Sequence, residues 1–435
     1  MRGIPRAALA LALLTACGQR CGHCGALAQS DAGDDETEEA GPKLGIDELA
    51  PERCRFEGDP LALGAASLEV GRADSRAADH LDVGVVSGGV GEVIRVGIAG
   101  KVLSVASRTP LGPLAADAPP PRVFSMATAT YALFHPAGGD AGAGKRHLRF
   151  VKLGGPSGVQ TLADLPDSSL DESLAFDGAV RDDAASSALV AWDDDEGDRG
   201  VIRVVSYQNG TWSTPVTVSA SRGDASSPRV LLGTDGYLVV WSVRKDDTQP
   251  DGAPKISNDT DIEGPGQLRG FEWIESVRVG LDGKPRGAPS KLTPDGGHVG
   301  SFEVAVGPTP NDADVYARDA AQRGKLVHVA VRGETSLVTT LDLPAAAIGT
   351  PEVQRGTDDT TVLAYEDGSG RSLLVPLDPR SGEPRGKPSS EGVLDPGSVL
   401  WAPTGVSTGA LALSLVVFEA TPAPRLRFAG CQPKK

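Results

Sequence analysis

The segments Ala188–Trp192 (ALVAW) and Tyr237–Trp241 (YLVVW) share one pattern, an apolar run that ends on tryptophan and is followed at once by a polar stretch. A short apolar run bounded by turn residues is typical of a buried β-strand. Related segments recur about every fifty residues, at Tyr131–Phe134, Val362–Tyr365 and Leu415–Phe418 and more weakly at Val83–Val86 and Val315–Tyr316. The sequence therefore predicts one type of strand that is repeated at a regular period.

A second strand is predicted after each of these segments, because apolar and polar residues alternate there as in half-buried strands. These second segments are Val93–Val96, Leu148–Val151, Val201–Val205, Ile274–Val279, Leu326–Val329, Leu373–Val375 and Leu426–Phe428. A turn with glycine follows, as tight hairpins require. The glycines are Gly100, Gly155, Gly210, Gly283, Gly333 and Gly382, spaced 55, 55, 73, 50 and 49 residues apart. The one long interval holds an insertion rich in Asp, Gly and Pro, about Arg244 to Phe271, and removing it restores a spacing near fifty.

All-β units that repeat every 40 to 50 residues predict a β-propeller, whose blades protect their edges by closing a ring. A seventh turn is due near residue 430, where the chain stops at Gly430-Cys431, while the segment Cys54–Phe56 has no hairpin partner of its own. We therefore predict one seven-bladed propeller over residues 51–433, closed by an N-terminal strand in the last blade and by a Cys54–Cys431 disulfide. This resembles the strand-swapped closure of many propellers. Six or eight blades, or tandem β-sandwiches, are the alternatives.

The N-terminus contains an export signal, with Arg2 and Arg6 followed by an apolar run from Ala7 to Leu14. The next residues, Leu14-Thr15-Ala16-Cys17, resemble the bacterial lipobox. That resemblance implies cleavage before Cys17 and acylation of this cysteine, so residues 1–16 would be the signal peptide and 17–50 an acidic flexible tether. Ordinary signal cleavage after Ala28 is the alternative. Since Gly18 rather than Asp follows the cysteine, the resemblance implies the outer membrane, with a periplasmic or a surface-facing orientation.

The composition limits the partners of the chain. Its 435 residues include 42 Lys and Arg against 58 Asp and Glu, a formal net charge of -16. This charge argues against nucleic acid and against anionic membrane surfaces as ligands. No apolar run reaches the roughly 18 residues of a membrane-spanning helix. We therefore expect a monomer that contacts the membrane through its lipid anchor and binds an unknown protein or glycan.

Two further cysteines, Cys21 and Cys24, form a second candidate disulfide in the tether. The segment Cys21-Gly22-His23-Cys24 is similar to the motif of thioredoxin-like oxidoreductases. That chemistry needs the motif at the N-terminus of a helix, where the thiol pKa is lowered. No strand pattern precedes this motif and no helical period follows it, so a disulfide or free thiols are the preferred interpretation.

The candidate ligand face contains the loops between the second and third strands of each blade, because these loops share a face with the connections between blades. Carboxylates on one face could bind Ca²⁺ or attract a cationic partner, although polar loops are also simply solvated. No cofactor is predicted beyond this Ca²⁺ option. The carboxylates are Asp193, Asp195, Asp246, Asp247, Asp259, Asp261, Glu366 and Asp367.

A resemblance to sialidase-like propellers rests on Ser206–Trp212 (SYQNGTW), which is similar to a shortened Asp-box, S-x-D-x-G-x-T-W. The segment lacks the Asp, is one residue short and occurs once. The resemblance implies a similar turn with Trp212 packed between blades, and it assigns no catalytic residue.

Three functions fit these observations. The first is a lipid-anchored, exported binding module at the bacterial envelope that performs no chemistry. The second is a carbohydrate-active hydrolase or lyase with carboxylates at the central channel. The third is a scaffold for envelope assembly.

Overall fold

The computed structural model describes residues within the unit Leu44–Lys435. The described residues are 52–64, 68–71, 73–75, 79–116, 118–126, 128–137, 147–154, 158–165, 175–181, 187–197, 199–208, 210–220, 223–245, 270–343, 346–355, 361–369, 372–378, 380–384, 389–394, 399–401, 413–419 and 423–433. Cys17, Cys21, Cys24, Asp246, Asp247, Asp259 and Asp261 lie outside them. The described chain contains thirty β-strands and no helix, and hence no helix long and apolar enough to cross a membrane.

The strands form seven small sheets, each with strands in nearly consecutive order. Blade 1 contains β2 (Glu69–Val70), β4 (His80–Ser87), β5 (Val90–Ala99) and β6 (Val102–Pro113). Blade 2 contains β7 (Arg122–Ser125), β8 (Thr130–Phe134), β9 (Arg149–Leu153) and β10 (Val159–Asp164), with β3 (Ala73–Ser75) parallel to β7. Blade 3 contains β11 (Phe176–Arg181), β12 (Ser187–Asp195), β13 (Gly200–Gln208), β14 (Thr211–Trp212) and β15 (Val216–Thr217).

The second half of the ring follows the same plan. Blade 4 contains β16 (Asp224–Leu232), β17 (Gly236–Lys245), β18 (Phe271–Gly280) and β19 (Ser290–Lys291). Blade 5 contains β20 (Val299–Val306), β21 (Ala313–Asp319), β22 (Lys325–Arg332) and β23 (Thr335–Thr340). Blade 6 contains β24 (Ala347–Arg355), β25 (Thr361–Asp367), β26 (Ser372–Leu377) and β27 (Ser389–Leu394). Blade 7 contains β28 (Val399–Trp401), β29 (Leu413–Glu419), β30 (Arg425–Pro433) and β1 (Glu52–Ala62).

The predicted seven-bladed propeller is confirmed, and so is the swapped closure. The outer strand of blade 7 is β1, the first strand of the chain, which pairs antiparallel with β30, the last strand. Cys54 and Cys431 are register partners in this pair. The repeated apolar segments are the second strands of the blades, and even the weak ones at Val83–Val86 and Val315–Tyr316 lie in β4 and β21.

The continuous apolar runs arise because each blade is covered on both faces by its neighbours. Tyr237, Val239 and Trp241 of β17 pack in one cluster with strands of blade 3. Leu238 and Val240, which point to the other side of the same strand, pack with blade 5. Successive side chains of a strand point to opposite faces of the sheet. Burial on both faces therefore favours apolar residues at successive positions of a second strand.

The glycine turns also match the prediction wherever the structure describes them. Gly100, Gly210, Gly283, Gly333 and Gly382 all have a positive φ between +60° and +80°, and each stands between the third and fourth strands of a blade. This left-handed conformation strains any residue with a Cβ. Trp212, in the fourth strand of blade 3, lies edge-on against Phe150 of blade 2 with ring centroids 5.6 Å apart, as the predicted packing between blades requires.

Candidate functional site

The propeller has two faces, and the insertion emerges on one of them. On this side the second strand of a blade ends and its first strand begins. The two strand ends pair with each other, as Arg244 does with Asp224 and Asp367 with Ala347. The insertion joins Lys245 at the end of β17 to Phe271 at the start of β18. We call the surface formed by these strand ends, at Asp195, Lys245, Asp319 and Asp367, the insertion face.

Among the described acidic residues predicted for this face, Asp193 and Asp367 have identified hydrogen-bond partners. Asp367 is buried and accepts hydrogen bonds from the backbone N–H and the hydroxyl of Ser369, at 2.9 and 2.6 Å. Glu366 is half-buried and Asp195 is exposed. The residue between the two predicted aspartates of blade 3, Asp194, is buried and pairs with Arg203 at 2.9 Å. Within the described residues no group of three His, Cys, Asp or Glu side chains could hold a metal ion.

Asp193 joins the first strands of two neighbouring blades. Its carboxylate accepts hydrogen bonds from the backbone N–H of Ala175, at the start of blade 3, and of Ser227 in blade 4, at 2.8 and 3.3 Å. Ser227 has a φ of +55° and lies in a register shift of β16, a strained conformation for a residue with a Cβ. Burial raises the pKa of Asp193 to about 7, although both hydrogen bonds oppose the shift. This aspartate can therefore exchange a proton near neutral pH.

Three charged or titratable side chains converge at the base of the insertion, from two blades. Glu272 is the second residue of β18 in blade 4, while His298 and Arg318 belong to blade 5. Burial raises the pKa of the Glu272 carboxyl, and the nearby charges of Arg244, Arg318 and His298 partly oppose this shift. Within the described residues the side chains of Glu272, His298 and Arg318 make no hydrogen bond and no ion pair within 4.0 Å. We call these three residues the insertion-base cluster.

Two neighbours shape the insertion-base cluster. The Phe271 ring stacks on the His298 ring with centroids 5.9 Å apart. The Glu272 carboxylate lies directly against Gly300, where an added Cβ would stand 1.8 to 2.0 Å from its atoms. Glycine at position 300 thus leaves the space that this carboxylate occupies. The arrangement offers a carboxylate acceptor and an aromatic surface, with the Arg318 and His298 side chains near enough to influence the carboxylate electrostatically.

The sequence offered one signal for the insertion-base cluster, the position of Phe271 and Glu272 directly after the long insertion. The sequence pattern assigned neither Glu272 nor His298 to a site. The three residues come together because blade 4 packs against blade 5. Sequence periodicity does not encode which side chains meet across that interface.

No protein-family model and no curated protein sequence matches the chain. Solved structures resemble it at the level of the fold. An ulvan lyase, described as a new family of polysaccharide lyase, has a TM-score of 0.50 and 11% identity over 87% of this chain and 94% of its own. Aleuria aurantia lectin has a TM-score of 0.43 and 10% identity over 77% of this chain and 99% of its own. A subtype N10 neuraminidase-like protein of A/little yellow-shouldered bat/Guatemala has a TM-score of 0.41 and 11% identity over 72% and 93%. At these identities the likeness shows the β-propeller fold.

Proposed function

We propose that this propeller is an exported, lipid-anchored binding module that takes a glycan at the insertion-base cluster. The observation that carries the proposal is the convergence of Glu272, His298 and Arg318 without a hydrogen bond or ion pair among the described residues. A half-buried carboxylate without hydrogen bonds costs free energy. Groups of this kind concentrate at functional sites, where a ligand supplies the missing partners.

The chemistry of the insertion-base cluster suits a polyhydroxylated ligand. Each sugar hydroxyl both donates and accepts a hydrogen bond, so it can bind the Glu272 carboxylate and the Arg318 guanidinium at once. The Phe271 ring adds an apolar surface next to His298. Proteins of the same fold include a polysaccharide lyase and a lectin, which is compatible with this assignment.

The export and anchoring parts of the proposal rest on the N-terminal sequence. The apolar run before Leu14-Thr15-Ala16-Cys17 places the cysteine where a lipobox has it, and several acyl chains together give stable membrane attachment. Radiolabelled fatty acid should be incorporated into the wild-type protein and not into Cys17→Ser. Labelling of the Cys17→Ser protein would contradict lipidation at this position.

Binding can be tested with a panel of immobilised glycans and two glycine variants. In Gly300→Ala the new methyl group displaces the flexible Glu272 carboxylate, so we expect glycan binding to fall at least tenfold, as it should in Glu272→Ala. Gly296→Ala is the matched control, because nothing lies within 4 Å of its Cβ position. Full binding by Gly300→Ala and Glu272→Ala would place the ligand elsewhere.

A second candidate function is a carbohydrate-active hydrolase or lyase, and the raised pKa of Glu272 favours it. General acid–base catalysis works best when the pKa of the catalytic group is close to the working pH, and burial moves the pKa of the Glu272 carboxyl upward, in that direction. Glu272→Gln retains the shape of the side chain. An enzyme should lose turnover in this variant while it still binds the polysaccharide. A wild-type protein that binds the glycan and releases no shorter products supports the binding module.

A further inference from the structure

The opposite face of the ring has a cleft between blades 4 and 5, at the other ends of β17 and β18 from Lys245 and Phe271. Its walls are the turn between β16 and β17, the turn after β18, and the loop between β20 and β21. The cleft has a volume of about 230 Å³. This is below the roughly 300 Å³ at which pockets for drug-sized ligands begin, so it fits one small chemical unit.

Two arginines in this cleft are oriented by backbone carbonyls. Arg278 donates from Nη2 to the carbonyls of Asn311 and Gly333, both at 2.8 Å. Arg286 donates from Nη2 to the carbonyl of Asp235 at 2.7 Å. A guanidinium has five N–H donors, so each arginine retains donors for a ligand. Carbonyl oxygens fix the plane of the group and leave its charge unneutralised.

The absence of a carboxylate partner distinguishes these arginines from others in the same chain. Among the described residues neither Arg278 nor Arg286 has an acidic group within 4.0 Å, although Asp235 and Asp312 also line the cleft. By contrast, many other arginines pair with carboxylates: Arg95 with Asp82, Arg122 with Asp177, Arg149 with Asp164, Arg203 with Asp194, Arg229 with Glu303 and Arg332 with Asp314. In a protein of net charge -16, two guanidinium groups that line one cleft and lack a carboxylate partner among the described residues can bind an anion.

The cleft wall is held rigidly. Arg181 of blade 3 donates to the carbonyl of Gly233 at 2.9 Å and also to that of Thr234. The side chain of Asn311 accepts from the backbone N–H of Thr234 at 2.8 Å. Blades 3 and 5 therefore both hold the turn of blade 4 that carries the Asp235 carbonyl, which in turn orients Arg286. A preorganised site loses little conformational entropy on binding.

We infer that this cleft binds the carboxylate of an acidic sugar unit, at a site separate from the insertion-base cluster. The carboxylate pairs with Arg278 and Arg286. The ligand's hydroxyls donate to the Asp235 carboxylate and to Oδ1 of Asp312 on the rim, while Oδ2 of Asp312 accepts from the backbone N–H and the hydroxyl of Thr309 at 3.2 and 2.8 Å. A simple carboxylate ligand would bring no hydroxyl donor to the Asp235 side chain. Leu232 and Pro310 give the sugar ring its apolar contacts. The inference does not depend on the function proposed for the other face.

The test is calorimetric titration of the full-length protein with methyl glucuronide, with methyl glucoside and N-acetylglycine as comparison ligands. We expect measurable binding of the glucuronide, at least tenfold weaker binding of the glucoside, and weakening by salt, because the contact is charge-assisted. Arg286→Gln, an exposed substitution, should weaken glucuronide binding at least tenfold. Arg199→Gln, on the insertion face, should leave it unchanged.

Three results would overturn the inference. Equal binding of glucoside and glucuronide would remove the role of the carboxylate. Tighter binding of N-acetylglycine would assign the cleft to another kind of carboxylate ligand. Loss of glucuronide binding in Glu272→Ala, with full binding in Arg286→Gln, would place the sugar on the insertion face. Retained binding in Glu272→Ala together with loss in Arg286→Gln supports the site even if no glycan binds the insertion-base cluster.

Discussion

Cys54 and Cys431 stand directly opposite each other in the antiparallel pair that joins the first strand of the propeller to the last. Partners in such a pair have Cα atoms about 4.5 or 5.5 Å apart, and disulfides span Cα separations of about 4.4 to 6.8 Å. The backbone thus brings the two cysteines into bridging range where the ring closes. A covalent bond at this point would prevent β1 from leaving blade 7.

We predict that this disulfide forms and stabilises the ring. A protein that begins at Pro51 retains only Cys54 and Cys431, and its melting temperature should fall when reducing agent is added. The chain-entropy model gives an upper limit of roughly 5 to 6 kcal/mol for so large a loop. The double variant Cys54→Ser, Cys431→Ser should melt at the lower temperature with or without reductant. If reductant does not change the melting temperature of the protein that begins at Pro51, the disulfide is contradicted. The pairing of β1 with β30 would still stand.

A buried ion pair between blades 2 and 3 should carry far more stability than an exposed one. Arg122 donates to Asp177 at 2.7 Å, and both side chains are at most 5% exposed. Removing one partner leaves a buried charge, so Asp177→Ala should lower the free energy of unfolding by about 3 to 5 kcal/mol. Asp164→Ala, which breaks the exposed pair with Arg149, should cost about 0 to 1 kcal/mol. Urea denaturation measures both, and equal losses would contradict the prediction.

Two glycine turns should differ in their tolerance of alanine. Gly382 and Gly333 both have a positive φ, at +73° and +60°, so each Gly→Ala change adds about 1 to 2 kcal/mol of backbone strain. Only at Gly382 would the Cβ also meet a neighbouring blade, 2.5 Å from the ring of His328. Gly382→Ala should therefore lower the melting temperature more than Gly333→Ala. The same loss in both variants would show that blade 6 can shift away from blade 5.

Asp193 should make stability depend on pH between about 4 and 7. Its folded-state pKa of about 7 lies above the unfolded value of 3.8, so in this window the folded protein binds more protons than the unfolded chain. Stability from this group is therefore present at the acidic end and is lost as pH rises. From pH 4.5 to pH 7.5 the unfolding free energy of the wild type should therefore fall relative to that of Asp193→Asn. A difference that is constant with pH would indicate an ordinary pKa for Asp193.

The predictable part of this fold was the part that local sequence controls. Second strands such as Tyr237–Trp241 could be recognised because neighbouring blades cover both of their faces, which favours apolar residues at successive positions. Turns at Gly283 and Gly382 could be recognised because a left-handed backbone needs glycine. The role of the Cys54 segment could be inferred by counting strands. The last blade lacks one strand and the Cys54 segment lacks a hairpin partner, so the segment can complete that blade.

The candidate sites depended on contacts between blades. Glu272 and His298 meet because β18 of blade 4 lies beside the start of blade 5, and Arg278 and Arg286 lie in one cleft because two turns fold back onto the same wall. The acidic residues that the sequence offered for the insertion face include Asp367, which hydrogen-bonds to its own turn. The composition shows that carboxylates are abundant, but it does not show which of them are paired.

The sequence by itself determined the strand type, the period of about fifty residues and the closure of the ring, because burial and backbone conformation act on residues that are neighbours in the chain. Tertiary structure alone decided which charges find partners. Coulomb and hydrogen-bond energies depend on separations of a few ångströms between side chains tens of residues apart, and only the packing of one blade against the next sets those separations.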